Sequence, residues 1–352
     1  MSFNYKGGIC SRWIGVWITI SSLLSVVVIS GCATTTPDPK LRDLATRYIR
    51  AACRFADNSA VRAQALEAAA EVMVSDPGLL VREGLSDEHP GVRFAACMAL
   101  GRLRNTGSIS TIRKLVNDSD HSVRIGAYYA LERLGDSSFR SKWSEALAKH
   151  PDAAVRRNAA FAMGQLEDKA ILPLLHRAVA NDEDEGVRLQ ALEAMVGLGD
   201  KNAIDQFFVY AFGGVDYKQP FSLLALAYAA KDCQDIALRA RLEGALFARL
   251  SHATYLESRL AAARGLGMLG YKQGFDLALK SLTWNKARSN LSDDPPENQL
   301  MRVRSMAAMA LGEIGDPRAL EPLKKRMETP DDPRIQLAAA TAIAKILNKT
   351  PF

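Results

Sequence analysis

One block of sequence recurs along this chain and constrains its fold more than any other feature. The block reads Val-Arg-x-x-Ala-x-x-Ala-Leu-x-x-Leu, with copies beginning at Val61, Val92, Val123, Val155, Val187, Ser258, Val303 and Ile335. The steps between copies are 31, 31, 32, 32, 71, 45 and 32 residues. Such a period is typical of arrays in which each structural unit packs only against its neighbours.

Small residues occupy the same positions in successive copies of this block, and each such shared position is called a column of the block. The fifth position is alanine in all eight copies, at Ala65, Ala96, Ala127, Ala159, Ala191, Ala262, Ala307 and Ala339. The small and aliphatic positions of the block fall on one face of a helix with 3.6 residues per turn. Because small side chains let a neighbouring helix approach closely, the block predicts a helix that packs tightly against its counterpart in the next unit.

Turn signals between the blocks predict a second helix in each unit. Glycine follows the block at Gly135, Gly199, Gly270 and Gly315, and aspartates that could cap a helix follow at Asp136, Asp168, Asp200 and Asp316. Glycine readily adopts the left-handed conformation that ends a helix, and aspartate is a favoured first residue of the next. Each unit is therefore predicted to be a helical hairpin, with outer helices at 138–148, 170–180 and 318–327.

The block resembles the HEAT repeats, and its short period resembles the subfamily seen in phycobiliprotein lyases and related bacterial proteins. The copies at 92–101 and 303–312 carry the resemblance best, and it covers residues 41–348. It implies an all-α fold, a right-handed α-solenoid of about eight to nine HEAT-like helical hairpins. At roughly 8–10 Å per unit, nine units would form a curved array roughly 80 Å long, which could hold a partner on its inner face.

Two long steps interrupt the period. The 71-residue step is predicted to hide a degenerate unit within about 205–240, starting near Phe221 with Ala225 in the alanine column. The 45-residue step carries an insertion at about 284–298, predicted to be an exposed polar loop. Aromatic residues anchor interfaces, so the candidate partner-binding residues are those near these breaks. They are Phe208, Tyr210, Phe212, Tyr217 and Trp284, with gap filling, or for the loop a spacer without a role, as the alternatives.

The first residues are predicted to be a signal for export. Lys6 and Arg12 precede an uncharged apolar stretch at 14–30, as in a secretory signal. The sequence Val-Ile-Ser-Gly-Cys ending at Cys32 resembles the lipobox of bacterial lipoproteins. This resemblance implies a signal peptide at 1–31, lipid attachment at Cys32 and a lipidated tether at 32–40. Ala33 after the cysteine implies the outer membrane, on its periplasmic face.

The second column of the block is arginine in seven copies, at Arg62, Arg93, Arg124, Arg156, Arg188, Arg259 and Arg304. Aspartates lie six residues before an arginine of this column at Asp87, Asp118 and Asp182. Arginine forms bidentate bonds with carboxylates, so we expect a structural ladder that ties one turn between helices to the next. A basic ligand-binding ladder is the alternative.

The sequence gives no recognisable catalytic constellation. Cys53, Cys97 and Cys233 are expected to be small buried residues, and no histidine pair has helical spacing. His89, His121 and His150 fall in successive turns, which a spacing of about 10 Å would keep too far apart for one metal ion. The repeated His-Glu pairs that hold iron in deoxyhypusine hydroxylases are absent. No metal or cofactor is predicted.

These observations predict a non-catalytic protein-interaction scaffold, lipid-anchored to a bacterial cell envelope membrane, with protein partners of unknown identity. The net charge is only +6, and basic and acidic residues are interleaved, so nucleic acid is not expected as a partner. The alternative is an enzyme or enzyme-accessory subunit of lyase or oxidoreductase type that uses the same scaffold.

Overall fold

The computed structural model describes residues 39–73, 75–213, 218–287 and 294–349. The predicted signal peptide, Cys32 and Tyr217 lie outside these ranges. Every regular element within them is helical, and no helix there is both long and apolar enough to span a bilayer. The α-helices are α1 (Pro39–Phe55), α2 (Ser59–Val72), α3 (Pro77–Glu83), α4 (Pro90–Arg102), α5 (Ile109–Leu115), α6 (His121–Arg133), α7 (Arg140–Lys149), α8 (Ala153–Gly164), α9 (Leu172–Asn181), α10 (Glu185–Gly197), α11 (Lys201–Phe212), α12 (Lys218–Lys231), α13 (Ile236–His252), α14 (Leu256–Met268), α15 (Phe275–Ser281), α16 (Pro296–Ile314), α17 (Leu320–Glu328) and α18 (Pro333–Lys349).

The helices form two layers. Each even-numbered helix except α12, which belongs to the degenerate unit, carries one copy of the block, and all of them pack against the next even-numbered helix along the chain. The odd-numbered helices pack mainly against the even-numbered ones, and only a few of them contact one another. The even-numbered helices are packed closely together and the odd-numbered helices are further apart. The array therefore curves with the even-numbered helices on its inner side. The described residues thus form an all-α solenoid of nine hairpins, as the sequence predicts.

Small residues explain how closely the inner helices approach. A Cβ atom added to Gly164 in α8 would lie 2.6 Å from the Cβ of Ala194 in α10 and 2.9 Å from its Cα. At the equivalent point between α16 and α18, a Cβ on Gly312 would lie 2.9 Å from the Cα of Ala342. At these points even an alanine side chain is too large, so the backbones themselves set the spacing.

Replacing Gly164 with alanine should therefore destabilise the protein. The added methyl group meets backbone atoms, which costs about 1–3 kcal/mol and outweighs the better helix propensity of alanine. Gly197 at the end of α10 is the matched control, because a Cβ there meets nothing within 4 Å. Urea denaturation should give a lower free energy of unfolding for G164A and an equal or higher one for G197A. Equal stability of the two variants would contradict the close approach.

The turns between hairpins are capped as the sequence predicts. Asp136, Asp168, Asp200 and Asp316 each accept a hydrogen bond from a backbone N–H two or three residues later. The glycines that end the preceding helices have positive φ, at Gly135, Gly199, Gly270 and Gly315. At the position of these glycines, two other turns have Arg104 and Glu167, which adopt φ values of +49° and +61°. An L-residue is strained in this region.

The two ends of the array are joined, a closure that the prediction of a curved array did not include. Helix α18 packs against both α1 and α2, as an inner helix packs against the next hairpin elsewhere. Several polar contacts cross this seam between α18 and the first hairpin. Tyr48 Oη donates to Gln336 Oε1 at 3.2 Å, Asn348 Nδ2 donates to the carbonyl of Val72 at 2.8 Å, and Lys345 Nζ pairs with Glu71 at 2.6 Å. Arg42 also donates to Asn348 Oδ1 and to the carbonyl of Leu347.

An apolar cluster continues through the seam. Leu41 and Ile49 of α1 belong to the same buried cluster as Ile343 and Leu347 of α18. In an open solenoid the apolar faces of the first and last units would need polar caps. In this chain those two faces cover each other instead, and nine hairpins close into a ring.

The degenerate unit begins at Lys218 and not near Phe221. Gln219 takes the position of the arginine in this unit. Its Nε2 donates to the carbonyl of Gly213, six residues earlier, just as the Arg62 guanidinium donates to the carbonyl of Ala56. Ser222 and Ala225 then fill the two small columns, and both are buried. Ala225 therefore belongs to the second small column. The step from this unit to the next is longer than the usual 31 or 32 residues, and the additional residues lengthen α13, which has 17 residues.

The predicted inserted loop is also partly helix. Helix α16 begins at Pro296, seven residues before Val303, whereas α4 begins only two residues before Val92. At the other end, α1 begins at Pro39, so the last two residues of the predicted tether lie in its first turn. The folded body therefore starts slightly earlier than the sequence predicts.

Candidate docking site

The aromatic segment of α11 is divided between the core and the surface. Phe207 is fully buried, with its ring centroid 5.8 Å from that of Phe221 in α12, and so it fills the space between the layers. Phe208 and Tyr210 are half-buried, and Phe212 is 50% exposed. Of the predicted candidate residues in α11, Phe212 alone presents most of an aromatic ring to solvent.

Exposed apolar side chains are concentrated in this part of the ring. Among the described residues, the large hydrophobic side chains exposed by half or more are Leu79, Val209, Phe212, Tyr228 and Ile236. Four of these five lie in α11, α12 or α13. Val209 and Phe212 lie one helical turn apart on α11, and Ile236 begins α13, where it is 85% exposed. Exposed apolar residues that cluster in this way mark interaction surfaces.

A groove separates the outer helices α11 and α13, which run side by side in the same direction. Asp205 of α11 pairs with Arg241 of α13 at 2.7 Å, and the Arg241 guanidinium lies 4.0 Å from the ring centroid of Phe208. Further along, the Arg249 guanidinium lies 5.4 Å from the ring centroid of Phe212. A depression of about 290 Å³ opens at the start of both helices, and Asp205 and Arg241 are among the residues that line it.

The outward face of α13 is made of small residues. Ala237, Ala240 and Gly244 are exposed and lie on one face of the helix. A Cβ added to Gly244 would meet nothing within 4 Å. Elsewhere in this molecule small columns are covered by a neighbouring helix, so an uncovered one beside Val209 and Phe212 leaves room for a further helix to approach.

The groove has an excess of positive charge close to the aromatic rings. Arg249 has no carboxylate partner among the described residues, and its Nη2 donates instead to Gln219 Oε1 at 2.6 Å. Burial lowers the pKa of this guanidinium, which indicates a poorly solvated cation. At the start of the two helices the charges are balanced, because Lys201 and Arg241 line the depression together with Asp205 and Asp235. The Arg249 guanidinium therefore carries the preference for an acidic group near Phe212.

Trp284 is not an exposed anchor. Its ring is partly buried against the apolar cluster near the seam. Its carbonyl oxygen accepts a hydrogen bond from Arg304 Nε at 3.0 Å. This residue therefore supports the start of the inserted segment and does not project from it.

The column of arginines lies at one edge of the ring, in the turns that precede the inner helices. Arg62, Arg93 and Arg156 each form two hydrogen bonds with an aspartate of the following turn, at 2.8–2.9 Å. Their partners are Asp87, Asp118 and Asp182. Each guanidinium also donates to the carbonyl six residues before it. One arginine thus bonds two successive turns.

The remaining arginines of the column have other partners. Arg304 pairs with Asp331 at 2.9 Å, while the bonds of Arg188 and Arg259 within the described ranges all go to backbone carbonyls. Arg124 makes no hydrogen bond or ion pair within the described ranges, because His150 stands where the next aspartate would be. The ladder is therefore interrupted at Arg124.

His150 turns towards His121, and the two imidazoles are in contact. His150 Nε2 lies 2.6 Å from His121 Nδ1, so the predicted separation of about 10 Å is wrong for this pair. The backbone N–H of Asp152 donates to His150 Nδ1, which places the proton of His150 on Nε2. Burial lowers the pKa of His121, and Arg124 lowers it further. No three potential metal ligands converge in the part of the chain that the structure describes.

The cysteines are not all buried. Cys53 and Cys97 are in the core, and burial raises the pKa of the Cys53 thiol to about 12. Cys233, however, lies in the turn between α12 and α13 and is partly exposed. The expectation of burial is wrong for Cys233, because the turn follows the last buried position of α12.

Two solved structures show similarity to this chain over most of its length. A human deoxyhypusine hydroxylase structure shares 17% sequence identity with this chain, covers 83% of it and 99% of its own length, and gives a TM-score of 0.38. The CpcE–CpcF phycocyanin lyase complex from Nostoc sp. shares 19% identity and covers 75% of this chain and 93% of its own, with a TM-score of 0.37. No curated protein sequence matches significantly.

The family is shown by a sequence profile described as HEAT repeats. The profile matches residues 78–142, 140–207 and 243–344, which together make up more than half of the chain. The matched ranges contain six of the nine inner helices and most of a seventh, α18. The chain therefore belongs to the HEAT-repeat family.

Proposed function

We propose that this protein is a non-catalytic scaffold that binds an acidic amphipathic helix of a partner protein in the groove between α11 and α13. The observation that carries the proposal is the concentration of exposed apolar residues on α11 and α13 beside the uncovered small face of α13. A helix with apolar residues at helical spacing would cover Val209 and Phe212. Its acidic residues would meet Arg241 and Arg249.

The docking surface then lies on the outer layer of the ring. The inner face was the expected one for an open, curved array. Closure of the ring makes the outer layer the preferred surface for a partner. The inner helices surround the centre of the ring, whereas the groove between α11 and α13 is open to solvent on the outside. Among outer helices, α13 is matched in length only by α1. Its outward face offers a partner about four helical turns of contact.

We further propose that the scaffold is held at the cell envelope by lipid on Cys32, at the periplasmic face of the outer membrane. Support comes from the charge and apolar pattern of residues 1–30 and from the lipobox-like sequence before Cys32. Replacing Cys32 with serine should leave an uncleaved precursor without lipid, because the thiol that accepts diacylglycerol is gone. Mass spectrometry of the membrane fraction tests this, and a normally processed C32S protein would contradict the anchor.

The docking groove is tested by placing a charge in it. Replacing Val209 with aspartate adds a negative charge to an apolar surface that is already solvent-exposed, so the fold should be unaffected. The wild type should crosslink to a partner protein in cell envelopes and capture it, and V209D should not. The affinity of that partner for purified V209D should be lower by about tenfold or more. Arg241→Glu should weaken the same complex, and raised salt should weaken the wild-type complex.

Leu79→Asp is the matched control. Leu79 is 55% exposed, close to the exposure of Val209, but it lies on α3 in another hairpin. L79D should therefore capture the same partner with unchanged affinity. If V209D and L79D both bind as the wild type does, the groove is not the docking site. If both lose the partner, general surface hydrophobicity explains the binding, and the proposal is also overturned.

A further inference from the structure

A second, polar depression lies at the edge of the ring opposite the arginine column, in other hairpins than the docking groove. Its volume is about 440 Å³, and turns of three successive hairpins line it. The charged side chains that face it are Arg104, Glu132, Arg133, Arg140 and Asp168. Three cations and two anions give this lining a net charge of about +1.

The three arginines differ in how far their charge is neutralised. Arg140 pairs with Glu132 at 2.6 Å and with Asp168 at 3.0 Å. Arg104 forms no ion pair within the described ranges. Arg133 has a carboxylate oxygen no closer than 4.0 Å, from a Glu167 side chain that is 83% exposed. Two guanidinium groups are therefore available to an anion.

Two buried polar atoms of the lining residues have no hydrogen-bond partner among the described residues. Arg133 Nε is a buried donor without an acceptor, and Glu132 Oε2 is a buried acceptor without a donor. Both residues line the depression. Both atoms are shielded from solvent where they stand. A buried polar group without a partner is unfavourable, so a ligand that both accepts and donates hydrogen bonds favours a turn of these side chains into the depression.

The backbone is strained at both rims. Arg104 and Glu167 have positive φ at turn positions where Gly135 and Gly199 stand in neighbouring hairpins. Glycine would relieve the strain, as it does in those neighbours. With an arginine at this position a guanidinium lines the depression, which glycine could not provide.

We propose that this depression binds a carboxylate group that has a hydrogen-bond donor beside it. A carboxylate matches the planar fork of a guanidinium and, as a monoanion, balances the net charge of the lining. Arg104 and Arg133 hold the carboxylate oxygens, and the neighbouring donor bonds Glu132 Oε2. The free C-terminus of a peptide, with its amide N–H, and a small hydroxy acid both have this chemistry.

Titration calorimetry on the purified folded protein tests the site with three probes. They are lactate, a short peptide with a free C-terminus, and the same peptide with a C-terminal amide. We expect saturable binding of lactate, the acid peptide or both in the millimolar range or tighter, and no binding of the amide. Binding of only one of the two carboxylates identifies the source of the ligand. Absence of saturable binding by both, or equal binding of the amide, would overturn the proposal.

Two glycine variants separate the side chain from the backbone. Arg104→Gly should weaken carboxylate binding by about tenfold or more, because it removes one of two free cations. Glu167→Gly should bind at least as tightly as the wild type, because it relieves the same kind of strain without removing a cation. Both variants should melt no lower than the wild type. Equal affinity of R104G and the wild type would refute the site, and so would an equal loss in E167G.

Discussion

Replacing Ile49 with alanine should lower the free energy of unfolding by about 2–5 kcal/mol and should also open the ring. Ile49 is fully buried in the apolar cluster that α1 shares with α18. Truncation leaves a cavity in that cluster, and the surroundings collapse into such cavities only in part. Because the seam is the one junction between hairpins distant in sequence, its loss does not require any other hairpin to unfold.

The opening is measured by small-angle X-ray scattering across a urea titration. For I49A, the radius of gyration should rise at a lower urea concentration than the loss of helical circular dichroism. Leu175→Ala is the control, because Leu175 is also fully buried in an outer helix, but in α9, away from the seam. In L175A the early expansion should not exceed that of the wild type. An equal early expansion in both variants would argue against a seam.

Replacing Arg156 with methionine should cost about 3–5 kcal/mol. Its guanidinium bonds Asp182 twice at 2.8 Å and also the carbonyls of His150 and Pro151. The side chains of Arg156 and Asp182 are only 8% and 7% exposed. Methionine would keep much of the packing but would leave the Asp182 carboxylate buried without its cation, and removing one partner of a buried pair is strongly unfavourable.

Arg124 provides a control from the same column. It has no carboxylate partner in the described structure, since His150 replaces the aspartate. Arg124→Met should therefore change the free energy of unfolding by about 0.5 kcal/mol or less. Chemical denaturation of both variants at neutral pH measures the difference. Comparable losses in R124M and R156M would mean that packing of the arginine stem, and not the bond to the next turn, stabilises the ring.

Much of the fold could be predicted because each hairpin repeats the same local rules. The alanine columns, the capping aspartates and the turn glycines act within one unit or between adjacent units, and the structure contains them where the sequence places them. The unit at Lys218 was misplaced by three residues for a physical reason. Lys218 and Gln219 replace the usual Val-Arg pair, so the bond from Gln219 to Gly213 identifies the register only in three dimensions.

Closure of the ring could not be predicted from the repeats. Contacts across the seam join residues nearly 300 positions apart, such as Tyr48 and Gln336, and no periodic pattern relates them. The number of units in a closed ring depends on the small rotation between neighbouring hairpins. That rotation follows from packing details, such as the contact of Gly164 with Ala194, which a column of small residues does not specify.

The candidate docking site was predicted in part. The aromatic density of α11 indicated the region, but the pattern did not separate buried Phe207 from exposed Phe212. The small face of α13 was missed, because Ala237, Ala240 and Gly244 have the spacing of a buried column. Their exposure becomes visible only once the neighbours of α13 are known. A small column on an outer helix that lacks the full block is the signal that could have identified it.

Zero-length crosslinking of the monomer tests the closed ring most directly. Carbodiimide joins a carboxylate to an amine only when they are in contact, and Lys345 Nζ lies 2.6 Å from the Glu71 carboxylate across the seam. After isolation of the monomer, mass spectrometry should find the peptide containing Glu71 joined to the peptide containing Lys345. The same reaction should join Lys345 to Glu313 of α16, which lies within 2.6 Å in either arrangement and serves as the internal control. Recovery of the Lys345–Glu313 product without any Lys345–Glu71 product would show an open solenoid and contradict the ring.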